Sequence, residues 1–93
     1  MKALSNDQYK EICNILSKYS YDFYIYGSRA KGTHRKYSDL DLCYKGDMTR
    51  HEKALLEMDL EESNLPFRVD LVSWNKISDD FKSCIENDMK LLS

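Results

Sequence analysis

The sequence predicts a single α/β (α+β) domain over residues 1–93, a small mixed β-sheet flanked by helices in the order α-β-(α)-β-α-β-α. Three observations carry this reading. Two capping-box signatures stand ahead of apolar residues at helical spacing, and three short β-favouring runs lie between the helical stretches. With one Pro and three Gly in 93 residues, no segment has the composition of a linker.

Ser5 followed by Gln8 opens the first helix, and Tyr9, Ile12, Cys13, Leu16 and Tyr19 recur at its period, giving a helix over roughly 6–19. The run Phe23, Tyr24, Ile25, Tyr26 favours a strand that stops at Gly27, with a turn and a short helix over Ser28 to Gly32. Leu40 and Leu42 alternate with Asp39, Asp41 and Cys43, so a second strand puts its leucines on one face and both aspartates on the other. Thr49 and Glu52 open a helix expected to present Leu55 and Met58 to the core and to end before Asn64 and Pro66. Phe67 to Val72 reads as the third strand, with Val69 and Leu71 opposite Arg68, Asp70 and Val72. Ser78 caps a last helix whose apolar stripe is Phe81, Cys84, Ile85, Met89 and Leu92.

Net charge of −2 argues against a general nucleic-acid binder, because such proteins neutralise many phosphates at once. An anion site must therefore be local. The candidate is Arg29, Lys31, His34, Arg35 and Lys36, five basic or potentially basic side chains in eight residues. Cys13, Cys43 and Cys84 are odd in number and far apart, so neither a disulfide frame nor a zinc site is indicated. The start of the chain lacks the pattern of a signal peptide, and no apolar run approaches the roughly 20 residues that cross a bilayer. The expectation is a soluble cytoplasmic protein.

The chemistry concentrates in three places. In Gly27-Ser28-Arg29-Ala30-Lys31-Gly32 the glycines allow close backbone approach to an anion, Ser28 adds a hydroxyl, and Arg29 or Lys31 adds charge. This is not a Walker A loop, since Thr33 stands where the phosphate-binding lysine is required. Asp39 and Asp41 lie two residues apart on one strand face, roughly 7 Å, near enough to share a pair of cations. The bland alternative is an exposed face bearing two acids. Asp70 sits mid-strand between Val69 and Leu71, where an unpaired carboxylate is costly. Beside Asp39 and Asp41 it would complete a cluster calling for divalent counter-ions; otherwise Arg68 is its obvious ion-pair partner.

Taken in order, Gly27 to Gly32, then Ser38-Asp39-Leu40-Asp41-Leu42, then Val69-Asp70-Leu71-Val72, the motifs resemble the nucleotidyltransferase superfamily of DNA polymerase β and kanamycin nucleotidyltransferase. The chain is most similar to the minimal nucleotidyltransferases (MNT), typically antitoxins paired with HEPN-domain ribonuclease toxins. The resemblance implies that Gly27 and Ser28 hold the triphosphate, with Arg29 and Lys31 as further nucleotide-binding candidates, and that Asp39 and Asp41 bind two magnesium ions. Asp70 would be the third catalytic carboxylate, binding one metal and helping to deprotonate the attacking hydroxyl. It further implies transfer of AMP from ATP to a tyrosine of the HEPN toxin within a hetero-oligomer. The alternative is a catalytically idle antitoxin acting by contact alone; transfer to a small acceptor such as an aminoglycoside fits poorly with a chain lacking a substrate domain.

His34 and His51, 17 residues apart, have no companion ligands for a metal, and His34 reads as part of a basic loop, Thr33 to Tyr37, that could steer triphosphate, contact the toxin or merely be solvated. Tyr9, Tyr19, Tyr24 and Tyr26 fall on core-facing patterns, and Trp74 reads as the edge of the core.

Overall fold

A computed structural model of the chain describes residues 3–92. Four helices, α1 (Asn6–Leu16), α2 (Ser28–Lys31), α3 (Arg50–Glu61) and α4 (Asp79–Ile85), alternate with four strands, β1 (Asp22–Tyr26), β2 (Leu40–Lys45), β3 (Val69–Ser73) and β4 (Lys90–Leu91). The sheet order is β3-β2-β1-β4. β1 runs antiparallel to β2 and β4, whereas β2 and β3 are parallel, so the sheet is mixed as expected.

Local chemistry sets the helix starts. The Gln8 N–H donates to Ser5 Oγ at 3.2 Å while the Ser5 N–H donates to Gln8 Oε1 at 3.0 Å. Thr49 and Glu52 form the same reciprocal pair, and Ser78 Oγ accepts from the Phe81 N–H. Each cap satisfies donors that the first helical turn leaves free, a contribution of about 1 kcal/mol.

The strands then divide the side chains. Phe23, Ile25, Leu40, Leu42 and Tyr44 are buried on one face against Ile12, Ile15 and Leu16 of α1 and Leu56 and Leu60 of α3. On the opposite face Tyr26, Cys43 and Ile85 form a smaller cluster edged by Val72, Trp74, Ile77 and Met89. Trp74 thus stands at the core's edge, as expected.

Five expectations are corrected. The first helix stops at Leu16, with Ser17 as its C-cap, and Tyr19 follows in a turn, its O–H donating to Asp59 at 3.0 Å. In α3 the buried residues are Leu56 and Leu60, one turn apart, while Leu55 and Met58 are 43% and 54% exposed. The Thr49 cap sets the helix phase, and rotation of about 100° per residue turns Leu55 and Met58 off the sheet. The third strand begins at Val69 rather than Phe67, which is buried in the main core instead. The last helix ends at Ile85; Phe81 and Cys84 are exposed, and the chain returns to add β4, where the Leu92 N–H donates to the Phe23 carbonyl at 2.8 Å and Leu92 enters the main core. Among the tyrosines, Tyr26 is buried, Tyr19 and Tyr24 half-buried, and Tyr9 exposed.

Candidate active site

The site lies where β1 ends and β2 and β3 begin. Pairing in register sets Tyr26 opposite Asp41, and Asp41 opposite Asp70, so the three form a row across one face of the sheet. Side chains so placed have Cβ atoms roughly 4.5–5.5 Å apart. The Tyr26 ring meets Phe81 of α4 edge to face, with centroids 6.0 Å apart. Asp39 is exposed and lies just ahead of β2, close enough to act electrostatically on Asp41.

Gly27 follows β1 with φ 78° and ψ −154°, a conformation essentially reserved for glycine. A Cβ there would sit 2.5 Å from Asp41 Oδ2, so the bare backbone of the turn lies directly against that carboxylate. Ser28 opens α2, and Gly32, also at φ 78°, ends it. The glycine turn and the aspartate strand, 14 residues apart in sequence, are thus one place in space.

Electrostatics mark the row as strained. Burial, then the charges of Asp70 and Asp39, push the Asp41 carboxyl above its ordinary range. Burial and then Asp41 hold the Tyr26 phenol up at about 12, with Cys43 and Asp70 adding to it, so it is neutral at physiological pH. Among the described residues no three His, Cys, Asp or Glu side chains converge into a metal cage by themselves. The donor set nonetheless suits magnesium, which takes hard oxygen ligands, commonly only one or two carboxylates, and fills its shell with phosphate and water. Asp70 also pairs with Arg68, Nε to Oδ1, at 3.4 Å, the ion pair considered as its alternative; both side chains are substantially exposed, so the pair is worth little and easily opened.

Arg29 departs from expectation. Only 4% exposed, its guanidinium donates to the carbonyls of Ala3 (2.8 Å), Lys36 (3.2 Å) and Ser38 (2.9 and 3.0 Å) and lies 4.0 Å from the centre of the Phe67 ring. Its donors are taken up by the backbone carbonyls of Ala3, Lys36 and Ser38, which corrects its reading as a nucleotide ligand. Arg29→Lys is expected to cost about 1–3 kcal/mol, because an ammonium cannot satisfy this planar set of acceptors. Urea unfolding checks this. Lys31 is exposed and pairs with Asp88 at 3.5 Å. His34 is less solvated than expected: its Nδ1 is shielded without a hydrogen-bond partner. His51 is exposed on α3.

A cleft of about 610 Å³ begins at Tyr26, Asp41 and Asp70 and wraps the edge of β3 to reach Glu57, Leu60 and Glu61 of α3. The sequence offered no direct sign of it, since its walls come from strands and helices far apart in the chain.

Similarity to known proteins bears on the family and the fold. Residues 10–93 match the family model described as polymerase beta, nucleotidyltransferase. The chain is 40% identical over 67 residues to "Probable protein adenylyltransferase MntA" of Haemophilus influenzae, an alignment covering 70% of this chain and 59% of that relative. It shares the fold of a chain in a solved structure described as "Crystal structure of the toxin-antitoxin with AMP-PNP", with a TM-score of 0.73, 22% identity, and coverage of 91% of this chain and 72% of that one. With the family model spanning nearly the whole chain, and the glycine turn and aspartates set on its fold, the protein belongs to the polymerase β-like nucleotidyltransferase family.

Proposed function

We propose that this chain is a magnesium-dependent adenylyltransferase and antitoxin, moving AMP from ATP to a tyrosine hydroxyl of a HEPN ribonuclease toxin and so silencing it. The observation that carries the reading is the level pairing of Asp41 with Asp70 across β2 and β3, with the Gly27 backbone against Asp41. The Haemophilus relative, named a probable protein adenylyltransferase, supports protein as the acceptor, and the toxin–antitoxin neighbour with its ATP analogue supports the partner class.

In this reading the backbone at Gly27 and Ser28 and the Lys31 ammonium hold the triphosphate. Asp39, Asp41 and Asp70 would hold magnesium, which when bound stabilises charge on the attacking and leaving oxygens. Asp70 helps take the proton from the acceptor hydroxyl as its oxygen bonds the α-phosphorus and the bond to pyrophosphate breaks. Tyr26, kept protonated, adds no negative charge to the row.

Incubation with magnesium, ATP labelled at the α-phosphate and the neighbouring gene product is expected to label that protein on tyrosine. Absence of label under turnover conditions counts against the reading. The second reading is a catalytically idle antitoxin that neutralises by binding, with Asp70 engaged by Arg68 rather than by metal. Asp39→Asn with Asp41→Asn separates them: transfer and neutralisation vanish together in the first, while neutralisation survives in the second.

A further inference from the structure

We infer that the open edge of β3 is the acceptor's seat, where an extended basic segment of the acceptor protein pairs as a fifth strand and brings its hydroxyl-bearing residue level with Asp70. This rests on the adenylyl-transfer reading and names what that site receives.

β3 ends the sheet, and among the described residues no backbone hydrogen bond reaches its outer side. The Leu40 N–H donates to the Arg68 carbonyl at 2.8 Å. In a parallel ladder this turns the backbone groups of Arg68, Asp70 and Val72 toward β2 and leaves those of Val69, Leu71 and Ser73 pointing outward. Edge strands are commonly blunted by charged side chains, proline or a bulge; the segment Val69-Asp70-Leu71-Val72-Ser73 has no proline, its register with β2 is unbroken, and its one charge, Asp70, belongs to the aspartate row. The edge is therefore a ready template for an added strand.

The cleft runs along this edge and continues without interruption from the Asp41–Asp70 pair. A strand added there would lie about 4.7–4.9 Å from β3, and a residue level with Asp70 would share its face at pairing distance. Charge identifies the occupant. The cleft is lined by four carboxylates, Asp41, Asp70, Glu57 and Glu61, and by one basic side chain, Arg68. Asp41 and Asp70 are the pair that would hold magnesium and the nucleotide; the acids left to the outer cleft, Glu57 and Glu61, attract lysine and arginine, which sorts the acceptor to the β3 side of the aspartate row. A second copy of this chain, with a net charge of −2 and the same acids on its edge, is a poor match.

The test uses the full chain and two probes, random copolymers of lysine with tyrosine and of glutamate with tyrosine. Saturation with the lysine copolymer is expected to slow hydrogen exchange of the Val69 and Leu71 amides at least tenfold, and the glutamate copolymer to leave them unchanged. Glu57→Lys with Glu61→Lys, both at exposed positions, should weaken lysine-copolymer binding at least tenfold with ATP affinity within twofold. Equal binding by this variant, equal protection by both copolymers, or binding without protection at Val69 and Leu71 overturns the inference. So does protection of these amides in the free protein that rises with its concentration, which would assign the edge to a second copy. Label transfer from ATP is read separately: protection without label on copolymer or gene product leaves the seat standing and removes the transfer reading.

Discussion

Gly27→Ala is expected to reduce nucleotidyl transfer at least a hundredfold and to destabilise the chain by about 1–3 kcal/mol. Two independent effects meet at this position. The backbone angles, φ 78° and ψ −154°, are ones an L side chain rarely adopts, so alanine strains the turn or forces it to a new path. The added Cβ would also stand 2.5 Å from Asp41 Oδ2. That carboxylate can rotate away, but doing so removes it from the row it forms with Asp70. A loss of transfer with unchanged thermal stability would show that the carboxylate clash dominates; loss of both would show that backbone strain does. Wild-type transfer would remove the glycine turn from the site.

Asp41→Asn is expected to lower transfer by about a thousandfold, equivalent to ~4 kcal/mol of transition-state stabilisation, while raising thermal stability by a few degrees. The opposite signs follow from the environment of the group. Burial first, then Asp70 and Asp39, raise the folded-state pKa of Asp41 above its unfolded value. Its contribution to stability is therefore fully present below the ordinary carboxylate range and is lost as pH rises through the raised value. At neutral pH the ionised carboxylate opposes folding, and the neutral amide removes that opposition. Melting temperatures followed from acid to neutral pH check this: between the ordinary and the raised carboxylate range the stability of wild type should fall relative to that of the variant. That outcome would mark Asp41 as a residue set by chemistry rather than by folding.

The physical range of each interaction explains what could be read from the sequence. The caps at Ser5 and Thr49 act over three residues, and the alternation of Leu40 with Asp41 spans one strand, so both are legible locally. The order of the glycine turn and the aspartates led to the right family because each motif is contiguous in the sequence and so is legible without the fold. Arg29 misled because a guanidinium two residues after a glycine turn resembles a phosphate ligand. Its real partners, Ala3, Lys36, Ser38 and Phe67, come together only through the tertiary fold. β4 left no pattern at all: it consists of two exposed residues and exists because β1 had a free edge to offer. Leu55 and Met58 are apolar residues one helical step from the right stripe, a distinction that depends on where the sheet lies.

Arg29 has a kinetic consequence as well. It follows Gly27 by two residues and grips the carbonyl of Ser38, the residue before Asp39, so the turn and the aspartate strand are clamped to one another and move as a unit. The ordering of these segments is completed when the chain folds, and little is left to be done when nucleotide arrives. Nucleotide capture should accordingly be a single-step encounter whose observed rate climbs in proportion to ATP concentration without reaching a plateau, the behaviour of a receptor that does not wait for itself to rearrange.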